Sequence, residues 1–180
     1  ANSIDLSGFY GHTATSMVII DKDFTDFSKR HQHILDNLGV KEYIFDIINY
    51  DDLLVKELRC LFDKDVTPAA CNTDLIFGEN RLIILKPEYI EKCGLTQAEI
   101  DACIFHEMGH YINLQSKWDS NIEMLCDSVA VDAGLSLPML TTLFKINNAL
   151  GADVSERVSA IRKQLHIFRP IWTCGRYNSE

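Results

Sequence analysis

Apolar and polar positions along this chain repeat with two periods, and the switches between them outline a mixed α and β fold. The run Met17-Val18-Ile19-Ile20 reads as a short strand. Within 24–38, Phe27, Ile34 and Leu38 are the expected core positions of a helix that ends at Gly39. Residues 43–48 read as a strand and 51–62 as a helix. Two further strands, 73–77 and 81–85, are joined by Gly78-Glu79-Asn80, which predicts a hairpin. From residue 96 onward the pattern is helical. One helix is expected from Thr96 to about Asn113, and a second over 121–134 with Ile122, Leu125, Val129 and Ala133 as its apolar stripe and Gly134 as its C-cap. A third covers 135–150 with Gly151 as its stop, and a fourth covers 155–165. Residues 168–180, with Pro170, Trp172 and Tyr177, read as irregular. No repeat or low-complexity segment interrupts this order. The expected architecture is α+β: a small sheet beside a helical bundle, in one domain over 1–180 whose polar residues 1–15 read as a poorly ordered terminus.

The start of the 96–113 helix is marked twice. Thr96 is a good N-cap and Glu99 stands three residues later, as a capping box requires. Inside this helix lies His106-Glu107-Met108-Gly109-His110, an H-E-x-x-H motif. Positions i and i+4 share one face of a helix, so both imidazoles can point at a single metal ion. Glu107 projects beside them, placed to take a proton from a water on that metal, which is the arrangement of a zinc peptidase. An amphipathic core helix that happens to hold two histidines is the plainer reading. It would leave two imidazoles and a glutamate buried without partners, at a cost.

A catalytic zinc usually takes three protein ligands and keeps one position for water. Continuation into H-x-x-G-x-x-H is excluded, because Asn113 and Ser116 stand at those places and the next histidine is His166. The candidate third ligand is Glu123. Glu123 and Asp127 are i and i+4 in the 121–134 helix, so one carboxylate can ligate the metal and the other can bond a ligand histidine and set its tautomer. Asp132 reads as a solvated carboxylate. His31 and His33 sit at i and i+2, off a common helical face, and read as surface residues.

H-E-x-x-H followed by E-x-x-x-D resembles a gluzincin pattern, that of the family of the membrane protease HtpX and the CAAX prenyl proteases and of the small soluble minigluzincins. The strand and short helix over 80–90, the helix entry at 95–100, and 153–161 with Arg157 also resemble that family. The likeness covers about residues 70–163. It implies a zincin-like fold, with an edge strand beside the bundle that carries the two motif helices. It further implies Zn²⁺ held by His106, His110 and Glu123, a general base at Glu107, a supporting carboxylate at Asp127 and a catalytic-site role for Arg157. The chain departs from the membrane branch: its apolar runs fall well short of the ~20 residues that span a bilayer. Only twelve residues separate His110 from Glu123, which resembles the compact members. A second resemblance of the same chemistry is to the ImmA/IrrE-like peptidase domain, with Leu135-Ser136-Leu137-Pro138 similar to its ending.

Charge narrows the partners. The net charge is −9 with no Lys/Arg cluster, which argues against nucleic acid and against an anionic membrane surface. A peptide or protein substrate is the expected partner. Six cysteines occur without a C-x-x-C pair, and their spacing outlines no disulfide framework. Cys103 and Cys126 fall on the apolar faces of the two motif helices and read as small hydrophobes. Cys174 is a conceivable regulatory thiol. The first twenty residues lack a basic start and a continuous apolar core, so a cytoplasmic protein with reduced thiols is expected, although an export signal already removed would leave the same sequence.

The expected activity is zinc-dependent endopeptidase. The strand over 81–85 is expected to line the cleft and pair with an extended substrate. Tyr111, Arg157, His166 and Tyr177 are candidates for stabilising an oxyanion, with Arg157 leading and Tyr111 more at home in the core. The alternative is a non-catalytic or latent zinc-binding domain, its cleft blocked by the N-terminal segment or by the Trp172-bearing tail. A purely structural zinc site has no use for Glu107, which favours chemistry.

Overall fold

The computed structural model describes residues 24–38, 44–77 and 80–172, with side-chain surroundings over 26–38, 45–74 and 81–165. The expected strand at 17–20, the terminus 1–15, Tyr177 and Cys174 lie outside the described residues. Helix α1 (Phe24–Asn37) precedes strand β1 (Ile44–Asn49), a 3₁₀ turn (Tyr50–Asp52) and short helix α2 (Lys56–Cys60). Strands β2 (Ala69–Phe77) and β3 (Asn80–Leu85) follow. Then come α3 (Pro87–Cys93), α4 (Gln97–Ile112), a 3₁₀ turn (Leu114–Ser116), α5 (Ile122–Asp132), α6 (Ser136–Leu150) and α7 (Ser155–Trp172). The fold is α+β and mostly helical. Among the described residues no helix is long and apolar enough to cross a membrane.

The sheet corrects one expectation. Its order is β1-β3-β2, so the 81–85 strand is central and not an edge. β3 pairs in parallel with β1, Ile44 opposite Asn80 and Asn49 opposite Leu85, and antiparallel with β2, with a register break between Cys71 and Ile76. The physical reason lies in composition. Leu82, Ile83, Ile84 and Leu85 are all buried, an unbroken apolar run that suits a strand covered on both faces. Ile83 and Leu85 face the main core with Ile47 and Ala69, whereas Leu82 and Ile84 face a smaller cluster with Leu53, Phe62 and Ala70. β2 pairs with no other described strand and is the edge beside the helices.

Helix α4 is the axle of the molecule, packing against α5, α6, β2 and β3. Its capping box is formed: Glu99 N donates to Thr96 Oγ1 at 3.3 Å and Thr96 N to Glu99 Oε1 at 2.9 Å. Lys145 of α6 donates to the same Glu99 carboxylate at 2.5 Å. Ile100, Ile104, Phe105 and Met108 are fully buried, each stabilising by about 1.5–3 kcal/mol through lost apolar surface. Tyr111 also buries, and its hydroxyl donates to Leu82 O at 2.8 Å, which ties α4 to β3 and turns this ring away from the histidines, as expected of a core residue.

Four local expectations change. The 51–62 segment is not one helix: Asn49 Oδ1 accepts from Asp51 N and starts a 3₁₀ turn, and Leu53 and Val55 are extended before α2 begins. In α1, His31 has non-helical torsions, and beyond this kink Leu35 is buried while Ile34 is only half-buried. On α5 the buried residues are Cys126, Asp127, Val129 and Ala130, with Leu125 exposed, because the helix turns its acidic motif toward α4. Finally, α7 continues to Trp172, well past residue 165. Gly134, at φ 81, does end α5 as expected: Leu135 N bonds Ala130 O and Gly134 N bonds Val131 O, a Schellman closure.

Candidate metal centre

The two motif helices meet at a point set by a glycine. A Cβ on Gly109 would lie 2.8 Å from Cys126 Cα, so only the bare backbone lets α5 approach α4 this closely. At this crossing α4 presents His106 and His110 and α5 presents Glu123, Cys126 and Asp127. The imidazole centroids stand 5.2 Å apart at 78°. His106 Nε2 lies 3.0 Å from Glu123 Oε2, and His110 Nε2 lies 3.6 Å from Glu123 Oε1. Both ring nitrogens therefore converge on one half-exposed carboxylate.

The other side of the His106 ring is fixed. Its Nδ1 donates to Asp127 Oδ1 at 2.7 Å. Asp127 is buried, and Arg157 of α7 grips it with Nε on Oδ2 at 2.8 Å and Nη2 on Oδ1 at 2.7 Å. A carboxylate so held keeps its charge and orients the imidazole with Nε2 toward the cluster. Arg157 reaches His106 only at 3.4 Å, so its main contact is the clamp on Asp127.

Electrostatics sharpen the arrangement. Burial would lower the His106 imidazolium, but the bonds to Asp127 and Glu123 outweigh it and raise its pKa to about 9. The hydrogen bond with His106 leads the causes that hold Glu123 down at about 2. Burial would raise Asp127, yet Arg157 and His106 keep it below the usual carboxylate range. Burial, followed by the nearby His106 charge, pushes His110 down. Glu107 is buried beside the cluster, and desolvation lifts its carboxyl to about 7 against the pull of His106 and of the Cys71 thiol. A carboxyl near 7 can take or give a proton at neutral pH.

These residues line a cavity of ≈ 370 Å³ whose walls include Ala69, Ala70 and Cys71 of β2, and Met139 and Ile146 of α6. Asp65 and Thr67 form part of its wall. Lys86 braces their loop from behind: its buried ammonium donates to Phe62 O and, at 2.5 Å, to Asp65 O.

Metal-binding capacity is explicit at this crossing. One ligand atom each from His106, His110 and Cys126 lie within 4.8 Å of one another, so the three can hold a metal ion. Glu123 stands closer to both imidazoles than that limit. Every motif residue singled out in the sequence, His106, Glu107, His110, Glu123, Asp127 and Arg157, comes to this one place. His166 lies on α7, outside the described side chains. Cys103 and Cys126 are buried, as expected of small hydrophobes on the two motif helices; the ligand capacity of Cys126, Cys71 and the close approach at Gly109 are what sequence reasoning missed. Cys126 was legible in part, since it follows Glu123 by three and so lies near it on one helical face. Cys71 had no local signal, because only the β2–β3 register carries it to Glu107, where its thiol donates to the backbone carbonyl at 3.7 Å. Among the described residues all cysteines are free thiols.

Compared with known protein families, with curated proteins and with solved structures, the chain has no match.

Proposed function

We propose that this protein is a zinc-dependent endopeptidase of gluzincin type. The observation that carries the reading is the convergence of two imidazole Nε2 atoms on the Glu123 carboxylate, with a buried Glu107 beside them in a cavity. The donor set fits the ion. Two imidazole nitrogens and a carboxylate are ligand types that zinc takes, and the Glu123 carboxylate presents Oε2 to His106 at 3.0 Å and Oε1 to His110 at 3.6 Å. His106, His110 and Glu123 would hold the metal, and Asp127 and Arg157 would keep His106 in the ligating tautomer. When bound, Zn²⁺ supplies Lewis acidity and lowers the pKa of water.

The chain's own residues do the rest. Glu107, buried at the cavity wall beside the imidazoles, takes the proton of the attacking water and returns it to the leaving amine. Strand β2, not β3, offers the edge that an extended peptide can join, since Ala69, Ala70 and Cys71 already line the cavity. Arg157 acts through Asp127 as a positioning residue.

The test is a peptide-library digest read by mass spectrometry, comparing zinc-loaded wild type with Glu107→Gln at equal metal content. Cleavage by wild type that falls about 10²–10⁴-fold in the variant is expected, the usual contribution of a positioned base. Equal cleavage by both, or none by a wild type holding one zinc, would sink the proposal; the second result would favour a latent or binding domain.

A further inference from the structure

Cys126 is a potential donor that the hydrolytic reading does not use. Its side chain is fully buried, and it makes no hydrogen bond among the described residues. It stands one helical turn after Glu123, on the face of α5 turned to α4, at the point where Gly109 lets the helices touch. Its sulfur and one ring nitrogen from each histidine lie mutually within 4.8 Å.

We propose that Cys126 is a ligand of this metal centre and that its sulfur closes the position left open by His106, His110 and Glu123. The inference rests on reading the cluster as a metal site. The sulfur binds as a thiolate: the S–H bond breaks, the proton passes to solvent and the sulfur–metal bond forms, with no change of oxidation state. Two nitrogens, one carboxylate oxygen and one sulfur fill a tetrahedral shell of the closed kind, whereas three donors leave room for water. Engagement of Cys126 therefore competes with water for the fourth position and slows hydrolysis without abolishing it, and its withdrawal leaves that position open. Regulation then resides inside α5 and needs no segment from the termini. A sulfur donor also biases the site toward zinc, cobalt or cadmium over magnesium and calcium.

The experiment uses the full chain loaded with one equivalent of Co²⁺ and read by absorption. A thiolate-to-cobalt charge-transfer band is expected in wild type, retained in Cys71→Ser and Cys103→Ser, and lost in Cys126→Ser with cobalt still bound. One cobalt per chain without that band, or loss of the band in Cys71→Ser, overturns the role of Cys126 and leaves the metal centre standing. No cobalt binding overturns both readings. Should Cys126→Ser fail to fold, X-ray absorption on the zinc-loaded wild type decides: a sulfur scatterer at about 2.3 Å supports the proposal and a shell of nitrogen and oxygen alone overturns it.

Discussion

Two faces of the molecule carry the same trio of side chains, and only one of them is built like a site. Toward α5, Asp127 joins His106 at 2.7 Å to the Arg157 fork. Toward α1, Asp101 of α4 joins His31 at 2.8 Å to the Arg30 fork at 2.9 and 3.3 Å, with Gln97 adding a bond at 3.0 Å. Both carboxylates are buried, and both are held below the usual range although burial alone would raise them. What differs is the surroundings of each imidazole. The His31 ring packs against Phe27 and Phe105, at 4.9 and 5.1 Å, and serves to dock α1. The His106 ring has a second imidazole and a carboxylate converging on its far side, at the wall of a cavity, and the Cys126 sulfur lies within 4.8 Å of a nitrogen of each ring. A His–Asp–Arg cluster is thus a way to satisfy a buried charge. Additional donors and space turn it toward chemistry. Reading His31 as a surface residue was wrong for a related reason: the kink that turns it inward is not encoded in helical spacing.

The largest expected contrast comes from deleting each imidazole. His106→Ala should abolish stoichiometric zinc binding, since it removes the one imidazole that Asp127 and Arg157 hold in place for the metal. His31→Ala should keep one zinc per chain and cost about 1–3 kcal/mol of stability, the penalty for leaving a buried acceptor short of a partner. Metal analysis after gel filtration, paired with chemical denaturation, reads both. Equal metal content in the two variants would remove the distinction between the faces.

Exchanging each carboxylate for its amide sharpens the same comparison. Asp127→Asn should weaken zinc affinity about 10–100-fold, the usual effect of losing a partner that orients a ligand histidine. Asp101→Asn should leave affinity unchanged and lower stability by about 1–3 kcal/mol. Competition against a chelator of known affinity measures the first, and urea unfolding the second. A loss of affinity in Asp101→Asn would mean that α1 supports the centre through α4.

How much of this was legible in the sequence follows the range of each interaction. The α4 helix, its capping box and the i, i+4 pairs are local, and each stands where periodicity and capping put it. The stop at Gly134 is local as well. The strand order is not: the parallel pairing of β1 with β3 joins residues about 36 apart, and a hairpin reading of β2–β3 leaves either strand free to be the edge. The unbroken Leu82-Ile83-Ile84-Leu85 run was the available signal that β3 is central, against Ala69-Ala70-Cys71-Asn72-Thr73-Asp74 for an edge. The nearness of Cys126 to both imidazoles was not legible, because a cysteine on an apolar helix face reads the same whether or not donors from the neighbouring helix lie beside it.

Gly109 offers a smaller effect that separates shape from donor chemistry. Gly109→Ala places a methyl 2.8 Å from Cys126 Cα, a backbone atom that cannot rotate aside. The expected cost is about 1–3 kcal/mol of overpacking, together with weaker zinc binding as α5 is pushed off α4. Gly94→Ala is the control. It meets nothing within 4 Å, but its φ of 65 imposes a cost of about 1 kcal/mol with no effect on zinc. Thermal unfolding with and without zinc distinguishes the two, and identical zinc responses would show that close helix approach is not what assembles the donors.

The smallest effect is the pH dependence of the gap between wild type and Asp101→Asn, and its sign follows from the depressed Asp101 carboxyl. A group whose folded pKa lies below its ordinary value of 3.8 contributes stability that is present above that value and fades as pH falls through the folded one. Below about pH 4 the wild-type carboxyl begins to take up a proton in the unfolded chain, and lower still in the folded one. The protonated acid then resembles the amide that replaces it. The difference in unfolding midpoint between the two proteins should therefore shrink as pH falls from about 5 toward 3. Asp127 and Glu123 are depressed in the same sense and steepen the acid limb of both proteins equally, so they cancel in the difference. A gap that stayed constant down to pH 3 would mean that the α1 cluster is held by the shape of His31 between its phenyl rings, and that the charge on Asp101 contributes little to docking α1.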